Sequence, residues 1–205
     1  ILCSTFPAYA FQTLGESGDV TPMDTLKIGF EPQLRISDGG AANFTLFLDA
    51  AIKEDLSWRG QIGTGETDLY VGGSIKWIPI PDFEKQPALG LRTDVTFGRE
   101  MDETFWALRL APLISKRVDS DFILFTPYLS PTLGYAGTKG KLDTFSQLII
   151  GSEIRPHDMD RFVFDVELGS NLTKSFSYIS FNVTYLLEPN AASSTSKGQS
   201  FQIKD

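Results

Sequence analysis

Apolar residues fall on every second position over long stretches of the chain from Asp24 onward. Successive side chains of a β-strand point to opposite faces, so a period of two predicts strands with one apolar face. No capped segment with a helical period competes with this interpretation, and the fold class is predicted to be all-β. In the first two stretches the apolar positions are Leu26, Ile28, Phe30, Pro32, Leu34 and Ile36, and then Phe44, Leu46, Leu48, Ala50 and Ile52.

Polar or glycine-rich breaks separate the alternating stretches and set the number of strands. The first break, Asp38-Gly39-Gly40, supplies the positive φ angles that a hairpin turn requires. Nine such breaks predict ten strands. Eight strands are the alternative, because the stretch 56–63 is short enough to merge with its neighbour. The alternation is weakest over residues 122–136, and the longest outer loop is expected at 137–141.

The lengths of the stretches and the composition of their second face indicate the environment of the strands. Most stretches run for 10–14 residues, whereas strands of globular proteins average about 5–6 and a tilted membrane-spanning strand needs ~9–11. The second face mixes Gly, Ala, Ser and Thr with isolated charges of both signs, which suits a narrow lumen filled by ion pairs. Hydrophobic residues make up only 41% of the chain and no apolar run exceeds four residues. A spanning helix, which needs roughly 20 apolar residues, is therefore excluded.

These features together predict a single antiparallel up-and-down transmembrane β-barrel over residues 24–188. Aromatic residues near the strand ends, such as Trp58, Trp77, Phe97 and Trp106, are expected to form interfacial girdles with Phe162 and Tyr185. The charges expected to line the lumen are Glu31, Arg35, Asp49, Arg92, Asp94, Arg109, Glu153, Arg155, Asp165 and Glu167. The side chains expected to face lipid are Leu26, Ile28, Phe30, Phe44, Leu46, Leu48, Leu108, Leu110, Phe164, Ile179, Phe181 and Val183.

The segments that flank the predicted barrel have a different character. Residues 1–10 are interpreted as the remnant of a signal peptide, with small residues around Ala8-Tyr9-Ala10 at the cleavage site and Phe11 as the first mature residue. Residues 11–23 form an N-terminal segment that fills the lumen, pairs as a further strand or hangs free. Residues 189–205 are a polar C-terminal tail for which no structure is predicted.

The alternating stretches Leu26–Ile36 and Phe44–Ile52, together with the export site, resemble those of small bacterial outer-membrane β-barrel proteins. The resemblance covers residues 24–188 and holds at the level of the superfamily. It implies an outer-membrane location, the lipid bilayer as partner, envelope proteins or further copies as candidate partners, and a role as a structural or interaction component or a narrow pore. The last stretch, Phe176–Leu187, resembles the C-terminal strand of such proteins but continues into a tail.

A second interpretation reverses the two faces of the strands. A secreted or periplasmic barrel or sandwich would direct the Leu, Ile and Phe face inward, where it would bind an apolar ligand. The orientation of that face therefore separates the two interpretations.

The residues that most often carry chemistry are scarce in this chain. A single Cys3 excludes a cysteine zinc site and a disulfide framework, and a net charge of -8 argues against nucleic acid. No metal site, cofactor or enzymatic activity is predicted. A barrel-embedded hydrolase is the alternative, and it would depend on the single His157, which is expected on a solvated periplasmic turn.

Overall fold

The computed structural model describes residues 13–37, 40–100 and 103–187. None of these residues forms a helix that is long and apolar enough to cross a membrane. The helical turn His157–Met159 interrupts a succession of β-strands. The strands are β1 (Leu26–Arg35), β2 (Ala41–Lys53), β3 (Leu56–Gly65), β4 (Leu69–Ile80), β5 (Ala88–Glu100), β6 (Glu103–Ser115), β7 (Val118–Asp119), β8 (Ile123–Thr138), β9 (Lys141–Pro156), β10 (Phe162–Thr173) and β11 (Tyr178–Leu187).

Ten of these strands form a closed antiparallel barrel. Each pairs with its neighbours in chain order, β6 pairs with β8, and β1 closes the barrel by pairing with β11. The two-residue β7 pairs only with β8 at the rim. The predicted ten-stranded up-and-down barrel is confirmed, and the eight-stranded alternative is wrong because residues 56–65 form the separate strand β3. We call the end where β1 begins and β11 ends the terminal end, and the opposite end the far end.

The alternation in the sequence becomes two different surfaces of the barrel wall. Along β2, Phe44 and Leu46 are exposed on the outside, whereas Asn43, Thr45 and Asp49 between and beyond them are buried inside. Closure into a barrel gives each of its ten strands two neighbours, so backbone N–H and C=O groups are paired within the wall. The outer surface of the wall is therefore apolar, and polar side chains line its buried interior.

Glycine and aromatic residues face each other across the hairpins that turn at the far end. In the β3–β4 hairpin Gly63 pairs with Tyr70, and a Cβ atom on Gly63 would overlap the tyrosine ring. The ring thus occupies the space of the missing side chain, which favours this register over a slipped one. Each of the five far-end hairpins has such a pair: Gly29–Phe47, Gly63–Tyr70, Gly98–Phe105, Gly134–Phe145 with Gly151–Tyr128, and Gly169–Tyr178.

Strand β8 continues without a break through the region where the sequence pattern is weakest. Its register with β6 is the same on both sides of Pro112 and Pro131, which face each other across an interruption of the ladder. Proline has no N–H group, so neither residue can donate a bond at this point, and Ser130 Oγ donates to the Pro112 carbonyl at 2.6 Å. The expected long loop at 137–141 is wrong: β8 and β9 pair up to Thr138 and Lys141, which leaves a two-residue turn.

Candidate functional site: the filled lumen

Residues 13–21, which we call the lumenal segment, lie inside the barrel. All of them are buried except Val20, which is half-buried. Near the middle of β6, Arg109 Nη2 donates to the Thr13 carbonyl at 2.7 Å. At the terminal end, the Asp19 carboxylate lies 3.1 Å from Arg117 and 3.6 Å from Arg155. The described part of the N-terminal segment therefore fills the lumen from its middle to its terminal end.

Four cations on strands β3 to β6 form one side of the lumen, which we call the basic wall: Arg59, Lys76, Arg92 and Arg109. Their side chains are 0–3% exposed. Two wall carboxylates hold the three arginines in place, because Arg59 Nε lies 2.6 Å from Asp49 Oδ1 and Arg92 Nε lies 2.7 Å from Asp94 Oδ1. Arg109 Nε lies 3.1 Å from the other oxygen of Asp94. Such hydrogen-bonded pairs are the form in which buried charges are tolerated.

Three carboxylates on strands β9 and β10 form the opposite side, the acidic wall: Glu153, Asp165 and Glu167. Glu167 accepts hydrogen bonds from the hydroxyls of Tyr128 at 2.6 Å and Tyr178 at 2.5 Å. Both tyrosines belong to the glycine–aromatic pairs, so the contacts that set the strand register also position donors for this carboxylate. Glu153 is paired with Arg155 at 2.5 Å.

The lumenal segment meets the two walls through opposite sides of its peptide groups. The basic wall donates to its carbonyls: Arg59 and Arg92 to Leu14, and Lys76 to Ser17 and Asp19. The acidic wall accepts from its amides: Leu14 N and Gly15 N donate to Glu167 at 2.9 Å, and Ser17 N to Glu153 at 3.3 Å. The cations of one wall and the carboxylates of the other therefore supply hydrogen-bond partners for the backbone of the lumenal segment, which pairs with no strand.

Gly15 is required where the lumenal segment passes closest to the wall. Its φ of +56° is a left-handed conformation that residues with a Cβ atom seldom adopt. A Cβ atom at this position would lie 2.7 Å from Glu31 Oε2 and 3.0 Å from Asn182 Nδ2. The Asn182 amide donates to the Gly15 carbonyl at 2.8 Å, so any larger residue would disturb that contact as well.

Aromatic side chains fill the far half of the lumen. Phe176, in the connection between β10 and β11, is fully buried and meets Tyr178 edge-on, with ring centroids 6.0 Å apart. Phe105 and Phe145 belong to the same buried cluster, and Gln147 Nε2 donates to the Phe176 carbonyl at 2.9 Å. The lumen is thus occupied from the terminal end by the lumenal segment and from the far end by this cluster.

The charges predicted for the lumen lie on the inner surface of the barrel. Eight of the ten are at most 3% exposed. The other two, Arg35 and Arg155, lie toward the ends, and Arg35 pairs with Glu66 at 2.7 Å. Sequence reasoning missed three further buried cations that share the same face in the alternation, and two acids of the lumenal segment: Lys27, Arg59, Lys76, Glu16 and Asp19.

The apolar residues predicted to face lipid lie on the outer surface. Leu46 is 56% exposed and Leu110 44%, whereas Leu26, Leu48, Phe164 and Val183 are half-buried between neighbours on the same surface. This orientation is the reverse of the one that binding an apolar ligand inside the barrel would require. The six aromatics considered for girdles divide between the ends: Trp58, Trp77, Phe162 and Tyr185 at the terminal end, Phe97 and Trp106 at the far end.

His157 begins the helical turn between β9 and β10 at the terminal end. Its Nε2 atom lies 3.3 Å from the Asp119 carboxylate, and its side chain is 45% exposed. Within the described ranges, no group of three or more His, Cys, Asp or Glu side chains is arranged to hold a metal ion. The predicted signal-peptide remnant and the C-terminal tail lie outside the described residues.

Two open hollows of 470 and 540 Å³ lie at the far end, on either side of Phe97 and Gly98. Neither is lined by a residue of the basic or the acidic wall. The ionic residues of the lumen therefore border the lumenal segment and not one of these hollows.

No family model and no curated protein matches the chain. Solved structures to which it is similar include an outer-membrane channel from Pseudomonas putida F1, at 8% identity and a TM-score of 0.48, covering 86% of this chain and 100% of that one. Another is the N-terminal β-barrel domain of Pseudomonas aeruginosa OprF, at 7% identity and a TM-score of 0.36, covering 82% of this chain and 100% of that one. A third is a de novo designed transmembrane β-barrel, at 12% identity and a TM-score of 0.42, with the same coverage of 82% and 100%. At these identities and TM-scores the likeness carries no argument about the family, the location or the activity of this chain.

Proposed function

We propose that the protein is embedded in a bacterial outer membrane as a closed barrel, with a structural or interaction role in the cell envelope. A closed sheet is the β-structure whose backbone needs no hydrogen bonds from lipid. The continuous apolar outer surface, with aromatic residues toward both ends, supports contact of that surface with the bilayer. The lipid bilayer is then the principal partner, and other envelope proteins or further copies of the chain are candidates at the exposed loops.

The filled lumen is the observation that favours a closed barrel over a narrow pore. Glu16 and the other buried residues of the lumenal segment occupy one half, and the cluster around Phe176 occupies the other. A solute would have to displace both. Barrels with open aqueous channels have about 16–18 strands, which is a further argument against free diffusion through ten. No catalytic step is part of this proposal, because His157 lies on an exposed turn beside Asp119.

Conductance in planar bilayers tests the closed state. The purified protein should insert and yet carry no sustained current, because both halves of the lumen are filled. A steady, long-lived open level would contradict the closed barrel and favour the narrow pore. A protein that remains monodisperse in buffer without detergent would instead contradict the membrane location.

Arginine substitutions on the outer surface test the contact with lipid. Leu46 lies near the middle of β2. Leu46→Arg should therefore make the free energy of folding into lipid vesicles less favourable by about 2–4 kcal/mol, the cost of arginine at the bilayer midplane. Leu69 begins β4 at the far end, and the matched Leu69→Arg should cost about 0–1 kcal/mol. Equal costs measured by urea titration in vesicles would argue against a bilayer centred on the barrel.

A further inference from the structure

The carboxylate of Glu16 lies in a cationic site built by three neighbouring strands. Its oxygens are 2.7 Å from Lys76 Nζ, 2.7 Å from Arg92 Nη1 and 3.9 Å from an Nη atom of Arg59. The Glu16 side chain is 7% exposed and the three cations are at most 3% exposed. The contacts are therefore those of a desolvated, charge-assisted site for one carboxylate.

Residues of the wall hold two of these cations without help from Glu16. Two oxygens of Asp49 accept from Arg59 at 2.6 and 2.8 Å, and the Arg59 guanidinium lies 4.0 Å from the centroid of the Phe47 ring. Asp94 accepts from Arg92 at 2.7 Å. The barrel strands themselves thus position the two arginines of the site, and the occupant belongs to a segment that makes no strand pairing.

We propose that this site, formed by Arg59, Lys76 and Arg92, is a binding site for small carboxylates that Glu16 fills as a tethered internal ligand. The lumenal segment is linked covalently to β1, which places the Glu16 carboxylate at high effective concentration. A free carboxylate then binds when the Glu16 side chain is absent or withdrawn. This inference rests on the proposed function only in requiring a folded barrel in detergent or lipid.

Chemical rescue by acetate tests the site. Glu16→Ala removes atoms equivalent to one acetate ion and leaves three cations without their carboxylate, so the variant should melt at a lower temperature than the original protein in sodium chloride. Replacing chloride by acetate at constant ionic strength should raise its melting temperature by roughly 2–4 °C. The same exchange should change the melting temperature of the original protein much less.

Two further variants test whether the acetate effect is specific to the Glu16 site. Glu54→Ala removes an exposed carboxylate from the β2–β3 turn, and acetate should leave its melting temperature unchanged. The double variant Glu16→Ala with Lys76→Met should lose the rescue, because one of the two closest cations is gone. An equal acetate effect in Glu16→Ala and Glu54→Ala, or a rescue that persists in the double variant, would overturn the proposal.

Folding yield replaces melting temperature if Glu16→Ala does not fold in chloride. Refolding into detergent should then recover more barrel in acetate than in chloride, and equal yields would overturn the proposal. If the carboxylate site is wrong, acetate gives no rescue and the original protein still needs detergent to fold. If the membrane proposal is wrong, the original protein folds without detergent. The two outcomes are therefore distinguishable.

Discussion

The basic wall and the acidic wall of the lumen hold the same segment in different ways. The cations of the basic wall bind carbonyl oxygens and the Glu16 side chain, whereas Glu153 and Glu167 bind amide groups. A peptide presents donors and acceptors on opposite sides, so a lumen with segregated charges can bind the main chain itself. The two walls can therefore hold the segment through its main chain even at Gly15, Ser17 and Gly18, where the side chains are small or absent.

Removing a cation of the basic wall should have the largest effect. Arg92→Met leaves the buried carboxylates of Glu16 and Asp94 with fewer partners, and breaking a buried ion pair in this way costs about 3–5 kcal/mol. Urea titration of the detergent-solubilised barrel would measure the loss. Lys53→Met, at an exposed position at the end of β2, is the control and should stay within about 0.5 kcal/mol.

The acidic wall should tolerate loss of charge less well at Glu167 than at Asp165. Glu167 accepts from two segment amides and two tyrosine hydroxyls. Glu167→Gln keeps one oxygen and turns an NH2 group toward some of these donors, so we expect a cost of about 1.5–3 kcal/mol. Asp165 accepts a hydrogen bond from the Tyr128 hydroxyl at 3.0 Å, and Asp165→Asn should cost less in the same urea titration. Equal costs would show that the segment amides do not depend on Glu167.

A methyl group placed between the walls should have a smaller effect. Gly15 and Gly140 both have positive φ angles, but only a Cβ atom on Gly15 would meet neighbours, since nothing lies within 4 Å of the one on Gly140. The conformational cost is similar in both, so Gly15→Ala should exceed Gly140→Ala by about 1–3 kcal/mol, the usual cost of overpacking. Thermal unfolding of the two variants checks this. A difference near zero would mean that the segment moves away without loss.

The smallest effect is expected outside both walls, at the loop carboxylate Asp82. Partial burial opposes its ionisation, but the Lys116 ammonium at 2.5 Å and the Arg117 amide at 2.6 Å hold the pKa of Asp82 below its usual range. The ionised Asp82 side chain therefore stabilises the fold at pH values above the ordinary carboxylate pKa of about 4. This stabilisation is lost as the pH falls through the lowered pKa of Asp82.

Melting curves between acid and neutral pH measure this contribution. Asp82→Asn should lower the melting temperature slightly at neutral pH and not in strong acid, and the contribution should stay below about 1 kcal/mol because the pair is close to solvent. If the melting temperature of Asp82→Asn depends on pH in the same way as that of the original protein, other groups cause the acid sensitivity.

The strand number and the two surfaces of the wall were predictable because they follow from local patterns. Leu26, Ile28 and Phe30 alternate with polar neighbours, and that alternation alone assigns each residue to a face. The alternation was a weak predictor of β8 because Pro127 and Pro131 lie within the strand, and proline has no N–H group to donate to a neighbouring strand. It also ended too early near Gly137, because small inward residues there carry no strong polarity signal.

The position of the lumenal segment was not predictable in the same way. Leu14 bonds to Glu167, which lies 153 residues away, and no local period of two connects them. Arg59 and Lys76 lay on the correct face in the sequence, but their role depends on Glu16, which enters from outside the sheet. Contacts of this kind require the closed barrel, which no single stretch of sequence specifies.

The glycine–aromatic pairs have a consequence for the order of assembly. Each far-end hairpin contains its own pair, such as Gly63 with Tyr70, so its two strands can reach the correct register while the other strands are still unpaired. The binding partners of Leu14, by contrast, come together only after β3, β5 and β10 share one closed wall. The full set of contacts around the lumenal segment can therefore form only in the closed barrel, whereas the register of each hairpin needs only its own two strands.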